Sequence, residues 1–138
     1  MHLAFYKGPP TDAGHFFAHI ATCIVTVSRY SHVELVIGGM CYSSSARDGG
    51  VRAKRIDLTS GRWDVIEIPG DEARAMAWFR AHEGNGYDWT GAARFLLPIL
   101  VQRGHKWFCS EAVAAMLHMS DPHQWTPGSL ARFYQREV

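Results

Sequence analysis

The sequence is poor in three features, each of which would have pointed to a definite class. It holds three cysteines, Cys23, Cys41 and Cys109, with no Cys-x-x-Cys pair. An odd, scattered set builds no disulfide framework and suits a reducing compartment. It lacks a charge excess: 14 Lys and Arg face 13 Asp and Glu, a net charge of +1. A protein that neutralises many phosphates needs a basic surplus, so no nucleic-acid partner is expected. It also lacks a long apolar run. The longest stretch free of Asp, Glu, Lys and Arg, Ala13 to Ser28, carries His15 and His19. That stretch falls short of the roughly 20 apolar residues that cross a bilayer, so no membrane span is expected. The opening Met-His-Leu-Ala-Phe-Tyr-Lys has no basic-then-apolar order, so no signal peptide is read and the product is expected to be cytoplasmic as synthesised.

What is present is an ordinary globular balance. Of 138 residues, 47% are hydrophobic and 20% charged, with no repeat and no polar linker. A chain of this size buries roughly two-thirds of its extended surface without a metal or disulfide, so residues 1–138 read as a single domain. Leu3-Ala4-Phe5-Tyr6 predicts a first strand stopped by Gly8-Pro9-Pro10. Thr11 or Asp12 predicts a cap for a helix over 13–27, although the β-branched run Ile24 to Val27 fits a strand as well. In Ser31 to Ile37, Val33, Leu35 and Ile37 alternate with His32 and Glu34, which puts aliphatics on one strand face and the two polar groups on the other. Gly38-Gly39 signals a hairpin into Met40 to Ser45, Arg47-Asp48-Gly49-Gly50 turns again, and Trp63 to Ile68 reads as a further strand.

The period then changes from strand to helix. Asp71 caps a predicted helix with Ala75, Met76, Trp78, Phe79 and His82 on one face and Gly84 as its stop. Further helices are predicted near Trp89 to Leu97, from about Phe108 with Cys109, Ala112, Val113, Met116 and Leu117 as its stripe, and after Thr126-Pro127. Strands first and helices later indicate an α+β domain with helices packed on an antiparallel sheet.

The strongest chemical constellation is Cys109 at a helix start with His32 on a strand. The thiolate is the nucleophile, and both a helix N-terminus and a nearby imidazolium favour it over the thiol. A third polar group should hold the ring in its working tautomer. Two candidates lie close: Glu34, on the same face of the same strand, and Ser43, across the hairpin. The competing reading makes Cys109 a packed core thiol on an apolar stripe and His32 a hydrogen-bonded strand residue.

The wording of these segments carries a resemblance. Ser31-His32-Val33-Glu34-Leu35, Cys41-Tyr42-Ser43, Gly49-Gly50-Val51 and Phe108-Cys109-Ser110-Glu111-Ala112-Val113 resemble the circularly permuted papain-like cysteine hydrolases. These are the permuted NlpC-type amidases and peptidases and their lecithin retinol acyltransferase relatives, and the likeness is nearest to small phage and prophage tail-associated members. Tyr87-Asp88 fits a Tyr-Asp pair that recurs ahead of the Cys helix, and Leu3 to Gly8 fits the opening strand. The resemblance covers about residues 1–119. It implies a permuted papain-like fold, Cys109 as nucleophile, His32 as base and no cofactor. Tyr6 and Tyr87 are the candidates near substrate and oxyanion, Tyr6 as the guessed donor. Many relatives carry the third member on the strand after the His, where this chain has Ser43 or Ser45, and Glu34 stands where they have Gly.

Other patterns have blander expectations. His15, His19 and Cys23 recur at four-residue steps, but the segment lacks a zincin Glu and is apolar, so a packed helix and no metal is expected. Gly84-Asn85-Gly86 is a loop without a P-loop Lys, and Arg52, Lys54 and Arg55 read as a solvated strand edge. Trp78, Trp89, Trp107 and Trp125 read as core and rim anchors. Three functions follow: a cysteine amidase or peptidase acting on a peptide or peptidoglycan-like substrate; a lipid acyl hydrolase or acyltransferase using the same dyad; or a non-catalytic component that binds phage tail proteins and travels with the virion.

Overall fold

Alternating side chains and tight glycine turns lay out the sheet. A computed structural model describes residues 1–8, 28–88 and 106–135. Within them β1 (His2–Tyr6), β2 (His32–Ile37), β3 (Met40–Ser45), β4 (Gly50–Lys54) and β5 (Trp63–Glu67) precede α1 (Glu72–His82). Two short strands, β6 (Gly86–Tyr87) and β7 (Lys106–Trp107), lead to α2 (Cys109–Met116), a 3₁₀ turn (Pro122–Gln124) and α3 (Pro127–Gln135). The described chain is therefore α+β, with one seven-stranded sheet in the order β5-β1-β2-β3-β4-β6-β7. All neighbours are antiparallel except β6 and β7. The segments 13–27 and 89–97, for which helices were expected, lie outside the described residues.

The β2–β3 hairpin turns on Gly38 and Gly39 at φ 57° and 77°, the pair of positive values that a two-residue turn of right-handed twist needs. β4 lies between β3 and β6 in the strand order but meets β6 only at Gly50, so Lys54 and Arg55 are exposed as a solvated edge while Arg52 is partly buried. Its first residue, Gly50, sits at φ 146°, where an added Cβ would lie 1.9 Å from the Asn85 carbonyl oxygen. That close approach lets Val51 exchange backbone hydrogen bonds with Asn85 and Gly84 at 2.8 and 3.0 Å.

Strand alternation divides the buried side chains between two faces. Leu3, Phe5, Val33, Leu35 and Val51 meet Ala75 and Phe79 of α1, Val113 and Met116 of α2, and Leu130 and Ala131 of α3. Ala4, Val36 and Cys41 pack on the other face with Ile56, Leu58 and Trp63. Each fully buried Leu or Phe stabilises the domain by about 1.5–3 kcal/mol, so the first cluster is the main core. The helices begin where their caps dictate. Asp71 accepts the Arg74 amide at 3.0 Å, and Thr126 and Ser129 exchange side-chain and backbone bonds of 2.8 and 3.0 Å at the start of α3.

The sheet also curls. Ser44 on β3 donates its hydroxyl to the Trp107 carbonyl of β7 at 2.6 Å, although β4 and β6 lie between them in the strand order. Three strand spacings would separate those strands by roughly 14 Å in a flat sheet. Curvature brings the far edge back toward the centre, and α2, which starts directly after β7, packs on β2 and β3.

Candidate active site

His32 opens β2 and Cys109 opens α2, so the two side chains come from the ends of a central strand and a core helix. The helix start is shaped by Phe108, extended at φ −82° and ψ 159°. Its amide donates to Glu111 Oε2 at 3.1 Å, the backward half of a capping box. Cys109 is a free thiol, 1% exposed. The His32 ring, 24% exposed, interacts electrostatically with Cys109.

The ring's other partner is Glu34, whose Oε1 accepts from His32 Nε2 at 2.7 Å. Burial opposes the charged ring, yet Cys109 and Glu34 together lift His32 from 6.5 to about 10. Glu34 is fully buried. Burial pushes its carboxyl up, but hydrogen bonds from Arg52 and His32 outweigh that and hold it below the usual carboxylate range. A thiol, an imidazole and a carboxylate in sequence can generate a nucleophile and return its proton to a leaving group.

The remaining candidates are placed as follows. Ser43 is buried and donates its hydroxyl to the Val33 carbonyl at 2.8 Å, so of the two candidates for holding the ring it is Glu34 that touches His32. Tyr6 pairs with His32 and Trp63 across β1. Its ring meets Trp63 edge-on at 5.0 Å, and its hydroxyl lies over Gly8, where a Cβ would come within 2.7 Å of it. Trp63 also covers His32, with ring centroids 6.4 Å apart. Tyr87 packs on Phe108 at 5.9 Å. Burial, followed by the neighbouring Cys109, Asp88 and Glu111, pushes its phenol well above 10, so it stays protonated.

Sequence reasoning missed Arg52. Its two terminal nitrogens grip Glu34 at 2.6 and 2.7 Å and its Nε donates to Asp48 at 2.8 Å. The signal was available in the register, since Arg52 pairs with Ser43 and so shares a sheet face with the residues around it. Among the described residues no group of three or more His, Cys, Asp or Glu side chains is arranged to hold a metal ion. No described helix is long and apolar enough to cross a membrane. His15, His19 and Cys23 lie outside the described residues.

In comparisons with known proteins, no family model, no curated protein and no solved structure matches the chain.

Proposed function

We propose that this chain is a cysteine hydrolase of the amidase or peptidase type, built on a circularly permuted papain-like fold. The proposed substrate is a peptide, with peptidoglycan stem peptides as the class suggested by the resemblance. The observation that carries the reading is the His32 ring, bonded to the Glu34 carboxylate and electrostatically coupled to Cys109 at the start of α2. The proton shared by the pair rests on His32, and the Cys109 sulfur attacks the amide carbonyl carbon to form a tetrahedral oxyanion. The oxyanion meets the Cys109 backbone N–H at the start of α2 and a second donor, with Tyr6 and Tyr87 as the candidates. The imidazolium protonates the departing amine as the C–N bond breaks. Water, deprotonated by His32, then cleaves the thioester, which releases the acid and restores the thiol.

One observation favours the non-catalytic reading, a tail assembly or binding component: Cys109 is only 1% exposed. The deciding experiment incubates the protein with peptidoglycan fragments and with phospholipid esters and follows new amines and free fatty acids by mass spectrometry. New amines that disappear in Cys109→Ala and in His32→Ala support the amidase. Fatty acid release with the same dependence moves the assignment to an acyl hydrolase. No product and no thioester adduct on Cys109 assigns the protein to the non-catalytic class.

A further inference from the structure

The carboxylate that faces His32 is itself gripped from two strands away. Arg52 Nη2 and Nη1 donate to Glu34 Oε1 and Oε2, Nε donates to Asp48 Oδ2 at 2.8 Å, and Lys54 Nζ closes on Asp48 Oδ1 at 3.0 Å. Lys54, Asp48, Arg52, Glu34 and His32 thus form one line of hydrogen-bonded side chains, and its last member interacts electrostatically with Cys109. We propose that Arg52 is a positioning residue for the Cys109–His32 pair: it fixes and keeps ionised the carboxylate that orients the ring, while Asp48 anchors the guanidinium. This inference rests on the proposed reading of Cys109 and His32 as a working pair.

Three observations carry it. First, Glu34 is fully buried and the Arg52 side chain is 14% exposed, so this is not a solvated surface pair. A buried carboxylate with only a histidine for company would take up a proton, and the neutral acid could no longer stabilise an imidazolium. Second, the contact has the two-pronged form that a planar guanidinium supplies and an ammonium does not. Third, the path is open. β2 and β4 flank β3 at roughly 9–10 Å from each other, and the β3 residue paired with Arg52 is Ser43. Ser43 is small, and its hydroxyl is turned to the Val33 carbonyl. A Gln or His there would stand in the way of the Arg52 side chain. The presence of Ser43 and the orienting role of Glu34 are therefore two aspects of one arrangement. His32 is faced by Glu34 on its own strand, by Cys109 from α2 and by Tyr6 from β1; Glu34 is faced by His32, Arg52 and Cys41.

The test measures Cys109 alkylation by iodoacetamide against pH by mass spectrometry, with the His32 ring titrated by NMR in the same samples. The proteins are the full chain as wild type, His32→Ala, Glu34→Gln, Arg52→Lys, Arg52→Met and the Glu34→Gln/Arg52→Met double variant, each checked by circular dichroism. Positioning predicts that both Arg52 variants slow alkylation near pH 6 by about tenfold or more and lower the His32 titration midpoint. The double variant reacts no more slowly than Glu34→Gln alone, because Arg52 acts only through Glu34. Should Arg52→Met not fold, Arg52→Lys keeps a cation at the site and the double variant leaves no lone buried carboxylate, so both still make the comparison. A folded Arg52→Lys with unchanged rate and titration overturns the proposal, as does a double variant whose losses simply add. Failure of the pair itself looks different: wild type then reacts slowly at every pH and His32→Ala changes nothing, and Arg52 has no pair to position.

Discussion

The carboxylate of Glu34 and the imidazole of His32 stand two residues apart on one strand and close to 2.7 Å. Side chains at i and i+2 point to the same face of a strand, so the ring and the group that holds it are placed by the same backbone segment. The hairpin neighbour Ser43 is left to bind the Val33 carbonyl.

Removing His32 should expose its effect on the thiol. His32→Ala is expected to slow Cys109 alkylation near pH 6.5 by about tenfold or more, read by mass spectrometry of the labelled peptide. Cys41 serves as the internal reference. Burial, reinforced by the Glu34 charge, pushes its thiol up to about 11, so it stays protonated and reacts slowly in both proteins.

Stability should fall on the alkaline side. His32 holds its proton up to about 10 in the fold, against an ordinary value of 6.5. Its contribution is fully present below about pH 6.5 and is lost as pH rises through the folded value. The melting temperature of the wild type is expected to drop between about pH 7 and 10, with a shallower drop in His32→Ala. Asp48 acts in the opposite direction. Burial raises its pKa, but bonds from Arg52 and Lys54 carry it down to about 2, so its contribution is present at neutral pH and disappears as pH falls toward that value. Differential scanning calorimetry across pH 2–11 reads both limbs.

The cap on the Cys109 helix should be separable from the chemistry. Glu111→Ala removes the acceptor of the buried Phe108 amide and is expected to lower stability by about 1–3 kcal/mol in urea unfolding. Glu111→Gln keeps an acceptor oxygen and should lose less.

Gly50→Ala is expected to destabilise by about 2–4 kcal/mol, because it combines an unfavourable φ with a collision against a backbone carbonyl. The collision is with Asn85, so the loss should appear first in faster amide exchange at Val51 and Gly84, whose hydrogen bonds depend on that approach.

Much of this arrangement is legible in the sequence where local rules act alone. The β2–β3 hairpin follows from the alternation of Val33, Leu35 and Ile37 and from two glycines, and α1 follows from Asp71 and the spacing of Ala75 and Phe79. His32 and Glu34 share a face for the same reason. What was not legible depends on contacts distant in sequence. β6 and β7 have two residues each, too few for any alternation to show, and form because other strands pair with them. Arg52 reads as part of a basic run with Lys54 and Arg55, and only the pairing of β4 with β3 reveals that it shares a sheet face with Glu34. Its partner is Glu34, 18 residues earlier on a strand it does not touch through backbone bonds.

The bond from Ser44 to Trp107 has a mechanical consequence. Cys109 follows β7 by two residues and His32 belongs to β2, four places away in the strand order, so their separation measures how tightly the sheet is rolled. Any change that flattens the roll moves the thiol away from the ring without altering either residue. A substitution at Ser44 or Gly50 is therefore expected to change the separation of Cys109 and His32 from a distance.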